Sequence, residues 1–365
     1  MIHVVIGTKA QLIKMAPLLH TFHKEGIPYN YISTGQHKET MNDILDNFSL
    51  KKPDYILYDG KDIISITSML IWMIKILWHV IRYRSKVFCN DKNGIVLVHG
   101  DTFSTLLGAL IGKFSKLKVA HVESGLRSFN LLHPFPEEIT RLLTFHLSNY
   151  MFCPGDWAVS NLIKYSGEKI NIGENTLYDA LNIALPKIEK QDNVEIPKFK
   201  YAIVTLHRYE NIYNYKVLER VVKLVEKISY KHYLLFILHK PTESRLKRFG
   251  LYERLAKNSQ IEFRQRYDYF KFIKLVLHSD FVVSDGGSNQ EECYYLGKPI
   301  LLLRKATERP EGLEKNCILS QYNPDIINKF INNIEIYRFS PKILTQSPCK
   351  KIMQTCLPFI STTMD

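Results

Sequence analysis

What this chain of 365 residues lacks narrows what it can be. Its six cysteines, Cys89, Cys153, Cys293, Cys317, Cys349 and Cys356, form no CxxC pair, and none stands with histidines at zinc spacing. That argues against a disulfide scaffold or a zinc module, and reduced thiols are expected. Lys and Arg total 49 against 36 Asp and Glu, a formal charge of +13. The cations are scattered, with no dense basic run and no nucleic-acid motif, so nucleic acid is not the expected partner. A basic balance also suits a site that gathers a phosphorylated substrate. No charged leader precedes Ile2-His3-Val4-Val5-Ile6, and a cytoplasmic protein is expected. No apolar run reaches the roughly 20 residues of a membrane span. Ile63 to Val80, with Trp72 and Trp78, comes nearest, but Lys75 and His79 interrupt it. A buried helix between two strands, or one completed by a partner subunit, is the favoured reading. Peripheral docking on an anionic leaflet, with Arg82, Arg84 and Lys86 close by, is the less favoured one.

Apolar residues make up 45% of the chain and charged residues 23%, a globular composition, and the length suits two domains. From the N-terminus, continuous apolar strands alternate with amphipathic helices: IHVVI and Ala10 to Lys24, YNYIS and Lys38 to Phe48, GIVLVHG and Thr102 to Phe114, KVAHV and Pro136 to Ser148. That pattern predicts an α/β protein with a doubly wound parallel sheet covered on both faces. The polar stretch Glu189 to Lys198 reads as a linker. The alternation then restarts with Tyr201 to Leu206, Tyr215 to Ile228, Tyr233 to Leu238 and Ile261 to Phe263. Two Rossmann-like domains are expected, residues 1–185 completed by 347–365, and residues 186–346. Ligands of open α/β sheets sit beyond the carboxyl ends of the strands, so two facing sheets would share a central cleft.

The stretch Ser284 to Gly312 is the densest in signals. It runs strand, Gly286-Gly287-Ser288 turn, short helix, strand Pro299 to Leu303. Amides at such a turn and the helix dipole favour an anion such as phosphate, and Glu291 or Glu292 could accept a ribose's hydroxyls. A tight αβ connection with a charged first turn is the plainer alternative. Other strand ends carry Gly7-Thr8-Lys9, His99-Gly100-Asp101-Thr102, Glu123 to Arg127, His133 to Glu138, and His207-Arg208. Singly these have ordinary readings: Asp101 as a helix N-cap, Glu137 and Glu138 as first-turn acids after Pro136, His207 as a hydrogen-bonded strand-end residue. Together they offer carboxylates and a histidine for proton transfer, with cations for a leaving phosphate.

In these residues the chain resembles a known family. GTKAQLIKMAPLL, STGQH, LVHGDTFSTLLGAL, HVESGLRSFN, PFPEEITRLL, ENTLYDAL, TLHRYEN, SNQEECYYLGKPILLLR and TERPEG, in that order, are similar to blocks of the non-hydrolysing UDP-N-acetylglucosamine 2-epimerases. The resemblance runs from about Met1 to about Asn316. It implies a GT-B fold, a homodimer, a UDP-N-acetyl sugar substrate, and no metal, nicotinamide or other cofactor. It implies elimination of UDP to 2-acetamidoglucal and re-addition, interconverting UDP-N-acetylglucosamine and UDP-N-acetylmannosamine for a surface polysaccharide. By resemblance Asp101, Glu123, Glu137 and His207 are catalytic. Lys9, Lys14, Arg127, Arg208, Gly286, Gly287, Ser288, Glu292 and Arg309 bind substrate or UDP.

The other readings are a hydrolysing 2-epimerase that releases N-acetylmannosamine, a 2-epimerase of a modified UDP-sugar, and a GT-B glycosyltransferase. The chain departs from the family's GTRPE at Lys9-Ala10-Gln11, where a point charge replaces a forked guanidinium. It reads Asp285-Gly286-Gly287-Ser288 in place of Asp-Ser-Gly-Gly, and Glu39 in place of the second glutamine of a regulatory pair whose first is Gln36.

Overall fold

A computed structural model describes residues 1–36, 41–60, 66–131, 135–189 and 194–360. The chain divides into two compact units, Met1–Ile183 with Thr345–Asp365, and Ala184–Leu344.

In unit 1 the described strands are β1 (Ile2–Ile6), β2 (Tyr29–Ser33), β3 (Tyr55–Ile56), β4 (Ile95–His99), β5 (Lys118–Val122), β6 (Tyr150–Cys153) and β7 (Glu168–Asn171). All pair in parallel in the order β3-β2-β1-β4-β5-β6-β7. The central strands are buried throughout, which is why they read as continuous apolar runs. β3, β6 and β7 were not expected from the sequence, because they are short or mix apolar with polar residues.

The helix Ile66–Val87 packs Trp72, Met73, Ile76 and Val80 into the core with Val5, Ile32, Val96 and Val98. Its other face is not buried: Ile71, Ile74, Trp78 and Ile81 are each more than half exposed. Only one face of the expected buried helix is therefore covered within this chain. Among the described residues no helix is long and apolar enough to cross a membrane. Near the C-terminus the helix Pro348–Cys356 packs on the helix Lys9–Lys24, and Cys349 N–H donates to Asp179 at 2.8 Å.

In unit 2 the described strands are β8 (Tyr201–Leu206), β9 (Tyr233–Leu238), β10 (Ile261–Gln265), β11 (Val282–Ser284), β12 (Ile300–Leu302) and β13 (Cys317–Leu319). They too are all parallel, in the order β10-β9-β8-β11-β12-β13. One apolar cluster, including Val204, Phe236, Phe281 and Phe330, covers this sheet. Each such buried side chain contributes on the order of 1.5–3 kcal/mol. Both sheets carry the doubly wound order, which reverses between β1 and β4 in the first and between β8 and β11 in the second.

Candidate active site

In unit 1 the strand order reverses where Gly7 to Gln11 leave β1 and His99 to Thr102 leave β4, the position at which open parallel sheets receive ligands. The Gly7 and Thr8 amides both donate to Gln11 Oε1, at 2.9 and 3.1 Å. Gln11 Nε2 donates onward to the His99 carbonyl at 2.7 Å and to Thr105 Oγ1 at 2.9 Å. The glycine turn is thus closed by a glutamine of the next helix. A Cβ on Gly7 would stand 1.9 Å from Ser104 Oγ, so the close approach requires glycine. Lys9 begins the helix Lys9–Lys24, and both Lys9 and Lys14 are buried there.

β4 and β5 pair with His99 opposite Val122, which sets Gly100 and Asp101 beside Glu123. Glu123 is buried at φ 64°, a left-handed conformation costing a side-chain-bearing residue on the order of 1–3 kcal/mol. Its Oε2 accepts from both Lys14 Nζ and Asn175 Nδ2, and His99 Nε2 lies 3.7 Å from the same oxygen. His121 Nε2 donates to the Gly100 carbonyl at 2.7 Å. Burial holds the His121 pKa down to about 4, so the ring is neutral and pins the turn ahead of Asp101.

Asp101 does not cap the next helix, as one reading of the sequence had it. Thr102 does so through its hydroxyl, in a reciprocal pairing with Thr105. A hydroxyl one residue on satisfies the helix amide and leaves the carboxylate for a cation. Asp101 Oδ2 accepts from Arg141 Nη2 at 2.5 Å, and Arg141 Nη1 reaches Glu138 at 3.3 Å. Glu138, fully buried, also accepts from Arg127 Nε at 2.5 Å and from Ser128 N–H at 3.0 Å. Burial alone would raise the Glu138 pKa; the hydrogen bonds from Ser128 and Arg127 and the Arg127 charge outweigh it, and the carboxyl titrates below its ordinary value. Glu137 opens the helix Glu137–Leu147, and the Thr140 hydroxyl is shared between the Glu137 and Asp101 carbonyls. Asp101, Glu123 and Glu137 therefore stand on adjoining elements of unit 1, and Arg127 is tied into the same charged chain. His133 and Glu39 lie outside the described residues; Gln36 is within them and accepts from Ser104 Oγ at 2.6 Å.

In unit 2, β8 and β11 pair with Ser284 opposite Thr205, which brings Asp285 to the end of β8. Wholly buried, Asp285 accepts from the His207 and Arg208 amides at 3.0 and 3.1 Å and from Asn211 Nδ2 at 2.9 Å, with His207 Nδ1 at 3.3 Å. The His207 ring stacks on His239 with centroids 5.0 Å apart. The His207 side chain is 41% exposed, beside the buried Asp285. Gly286 caps the helix Gly287–Leu296. A Cβ on Gly286 would fall 2.8 Å from His207 Cε1, and one on Gly287 2.8 Å from Arg309 Nε and 3.6 Å from Arg208 Nη2. His207, Arg208 and Arg309 thus crowd the start of a helix whose dipole favours an anion. Ser288 is the second residue of that helix. Arg309 pairs with Glu291, Glu292 accepts from Asn289 Nδ2 at 2.9 Å, and Arg208 reaches Glu308 at 3.3 Å.

The sequence-predicted residues therefore form two groups, one on each unit. Sequence reasoning missed Asn175, Arg141 and His239, and it named Glu138 and Asp285 without giving either a role at the site. Asn175 and Arg141 stood inside quoted blocks, but nothing in their spacing marked their partners. Among the described residues no group of three His, Cys, Asp or Glu side chains is placed to hold a metal ion.

Two doubly wound sheets, each with polar and ionisable residues at its switch point, define an α/β enzyme of two Rossmann-like units. The family model for UDP-N-acetylglucosamine 2-epimerase matches residues 20–340. A Methanococcus maripaludis protein named UDP-N-acetylglucosamine 2-epimerase is 35% identical over 340 residues, 89% of each chain. A Bacillus subtilis protein of the same name is 30% identical over 363 residues, 97% of this chain and 90% of that one. The Methanocaldococcus jannaschii UDP-GlcNAc 2-epimerase solved with UDP-GlcNAc and UDP superposes with a TM-score of 0.82 at 30% identity, covering 98% of this chain and 99% of its own. The Neisseria meningitidis enzyme bound to UDP-GlcNAc gives 0.82 at 29% identity with the same coverage. The chain belongs to the UDP-N-acetylglucosamine 2-epimerase family, whose members are isomerases, and shares their GT-B class of fold.

Proposed function

We propose that this chain interconverts UDP-N-acetylglucosamine and UDP-N-acetylmannosamine, supplying an N-acetylated sugar for a surface polysaccharide in the cytoplasm. One group takes the C2 proton as the C1–O bond to UDP breaks, which leaves a C1=C2 double bond in 2-acetamidoglucal. UDP then re-forms the bond to C1 while a proton is delivered to the opposite face of C2. Asp101, Glu123, Glu137 and His207 are the acid/base groups in this reading. Lys9, Lys14 and Arg127 on unit 1, and Arg208, Gly286, Gly287, Ser288, Glu292 and Arg309 on unit 2, hold the sugar nucleotide. No metal or cofactor enters the step.

The observation that carries the reading is the Glu123 carboxylate, buried at a strand end and hydrogen-bonded by Lys14 and Asn175. Donors of this kind favour the charged form, and an ionised carboxylate shielded from water is suited to proton abstraction. Unit 2 supplies the complementary function. Its crowded cations and helix start suit a diphosphate that gains charge as it leaves.

The protein acts as a homodimer in this reading. In support, Ile71, Ile74, Trp78 and Ile81 form an exposed apolar stripe at helical spacing, which a second copy would cover. Sedimentation at micromolar concentration distinguishes one subunit from two, and a monomer there removes the dimer.

Proton NMR of the protein with UDP-N-acetylglucosamine in deuterated water tests the reaction. Deuterium at C2 with growing UDP-N-acetylmannosamine is the expected result, and Glu137→Gln is expected to slow it by about 100-fold or more. Deuterated free N-acetylmannosamine with UDP would establish a hydrolysing enzyme instead. No exchange at all would reject UDP-N-acetylglucosamine as the substrate.

A further inference from the structure

Among the buried polar side chains that the mechanism does not use, Asn175 touches one of its acid/base groups directly. Asn175 is 1% exposed and sits between β7 and the helix Leu177–Ile188. Its two ends face different partners. Nδ2 donates to Glu123 Oε2, the same oxygen that accepts from Lys14. Oδ1 lies 3.4 Å from the Leu177 amide and 3.3 Å from the Thr176 hydroxyl, at the start of the following helix. Only one orientation of the amide satisfies both ends, because a carboxylate needs a donor and a backbone N–H needs an acceptor. Glu123 itself is held at φ 64°, so its side chain leaves the backbone in a direction that the surroundings must stabilise.

We infer that Asn175 is a positioning residue for the acid/base step: its amide donor, acting with Lys14, keeps Glu123 ionised and aimed, while its carbonyl anchors that donor to the next helix. This rests on the reading of Glu123 as an acid/base group proposed above. A hydrogen bond to the charged form of a carboxyl lowers its pKa, so loss of the donor must raise it. Asp at this position is the discriminating change. It keeps the size and the helix-facing oxygen of Asn175 but sets a second negative charge against Glu123 Oε2. Ala removes the donor without adding charge.

The test compares wild type, Asn175→Asp and Asn175→Ala in the pH dependence of deuterium uptake at C2 of UDP-N-acetylglucosamine. Melting temperatures are measured alongside. Asn175→Asp is expected to lower kcat by about tenfold or more and to move the acid limb of the profile up by about one pH unit or more. Asn175→Ala is expected to move that limb less, in the same direction. KM is expected to change by no more than about twofold, because the amide acts through Glu123 and not on the ground-state substrate. Acid limbs unchanged from wild type in both variants, or a loss confined to KM, would overturn the proposal. Should Asn175→Asp not fold, Asn175→Ala decides alone.

If wild type takes up no deuterium, the proposed reaction is what has failed. The positioning role is then read without substrate from the carboxyl titration of 13C-labelled glutamate, with Glu123→Gln assigning the signal. A Glu123 pKa equal in wild type and Asn175→Ala would reject the inference by that route as well.

Discussion

The two switch points are built on one topology and differ in what their central carboxylates face. On unit 1 the ionisable side chains pair with one another: Lys14 with Glu123, Arg141 with Asp101 and Glu138, Arg127 with Glu138. On unit 2 the central carboxylate faces inward. Asp285 spends its oxygens on the His207 and Arg208 amides and on Asn211, and the residues that follow it are glycines at a helix start. In the proposed reading the first arrangement serves proton transfer, since carboxylates there stand beside cations. The second holds a backbone shape, and a diphosphate asks for shape and fixed dipoles more than for titration. In the reading proposed above, the acid/base carboxylates stand on unit 1 and most of the diphosphate-holding groups on unit 2, with His207 joining the chemistry from unit 2 and Lys9, Lys14 and Arg127 the binding from unit 1.

The sharpest way to break this division is Glu123→Gln. It is expected to slow C2 exchange by about 100-fold to 10,000-fold while leaving UDP affinity within about twofold. Loss of UDP binding in calorimetry would show that Glu123 acts in binding and not in the proton step alone.

A second measurement concerns pH and the neutral His121 beneath Gly100. Its folded pKa of about 4 lies below the unfolded value near 6.5, so the unfolded chain binds more protons between those limits. The contribution of His121 to stability is full above about pH 6.5 and is lost as pH falls towards 4, by about 3 kcal/mol in all. Denaturant unfolding from pH 7 to 4 should show this slope, and His121→Gln should flatten it. An identical slope in the variant would remove His121 as its source.

On unit 2, Asp285→Asn keeps the shape and replaces one acceptor oxygen by an amide that faces other donors. It is expected to cost about 2–3 kcal/mol in chemical unfolding and to weaken UDP binding with it. Unchanged stability would mean that the His207–Arg208 turn holds without this hub.

The smallest effect is expected from Gly287→Ala, whose Cβ would meet Arg309 Nε at 2.8 Å. UDP affinity should fall by about tenfold, and the unfolding midpoint should fall slightly with it, since the methyl displaces a buried cation paired with the buried Glu291. Wild-type affinity for UDP would show that Arg309 is not needed where it stands.

Much of the fold was legible because parallel strands buried on both faces must be apolar along their length, and the helices between them must be amphipathic. The short strands β3, β6, β7 and β13 escaped, since two to four residues carry too little period to be told from a loop. At the site, Asp101, Glu123 and Gly286 could be picked out because each stands close behind an apolar run. Their partners could not. Asn175 meets Glu123 across 52 residues of sequence, Arg141 meets Asp101 across 40, and Asp285 meets His207 across 78.

Alternating hydrophobicity by itself determined two parallel α/β sheets, and strand ends by themselves determined where polar residues would gather, because both follow from local periodicity and the chain's direction. Which carboxylate pairs with a cation, and which turns inward to hold backbone amides, was decided only by tertiary structure. The state of a buried carboxyl depends on the donors within a few ångströms of it, and register alone brings those donors from distant parts of the chain.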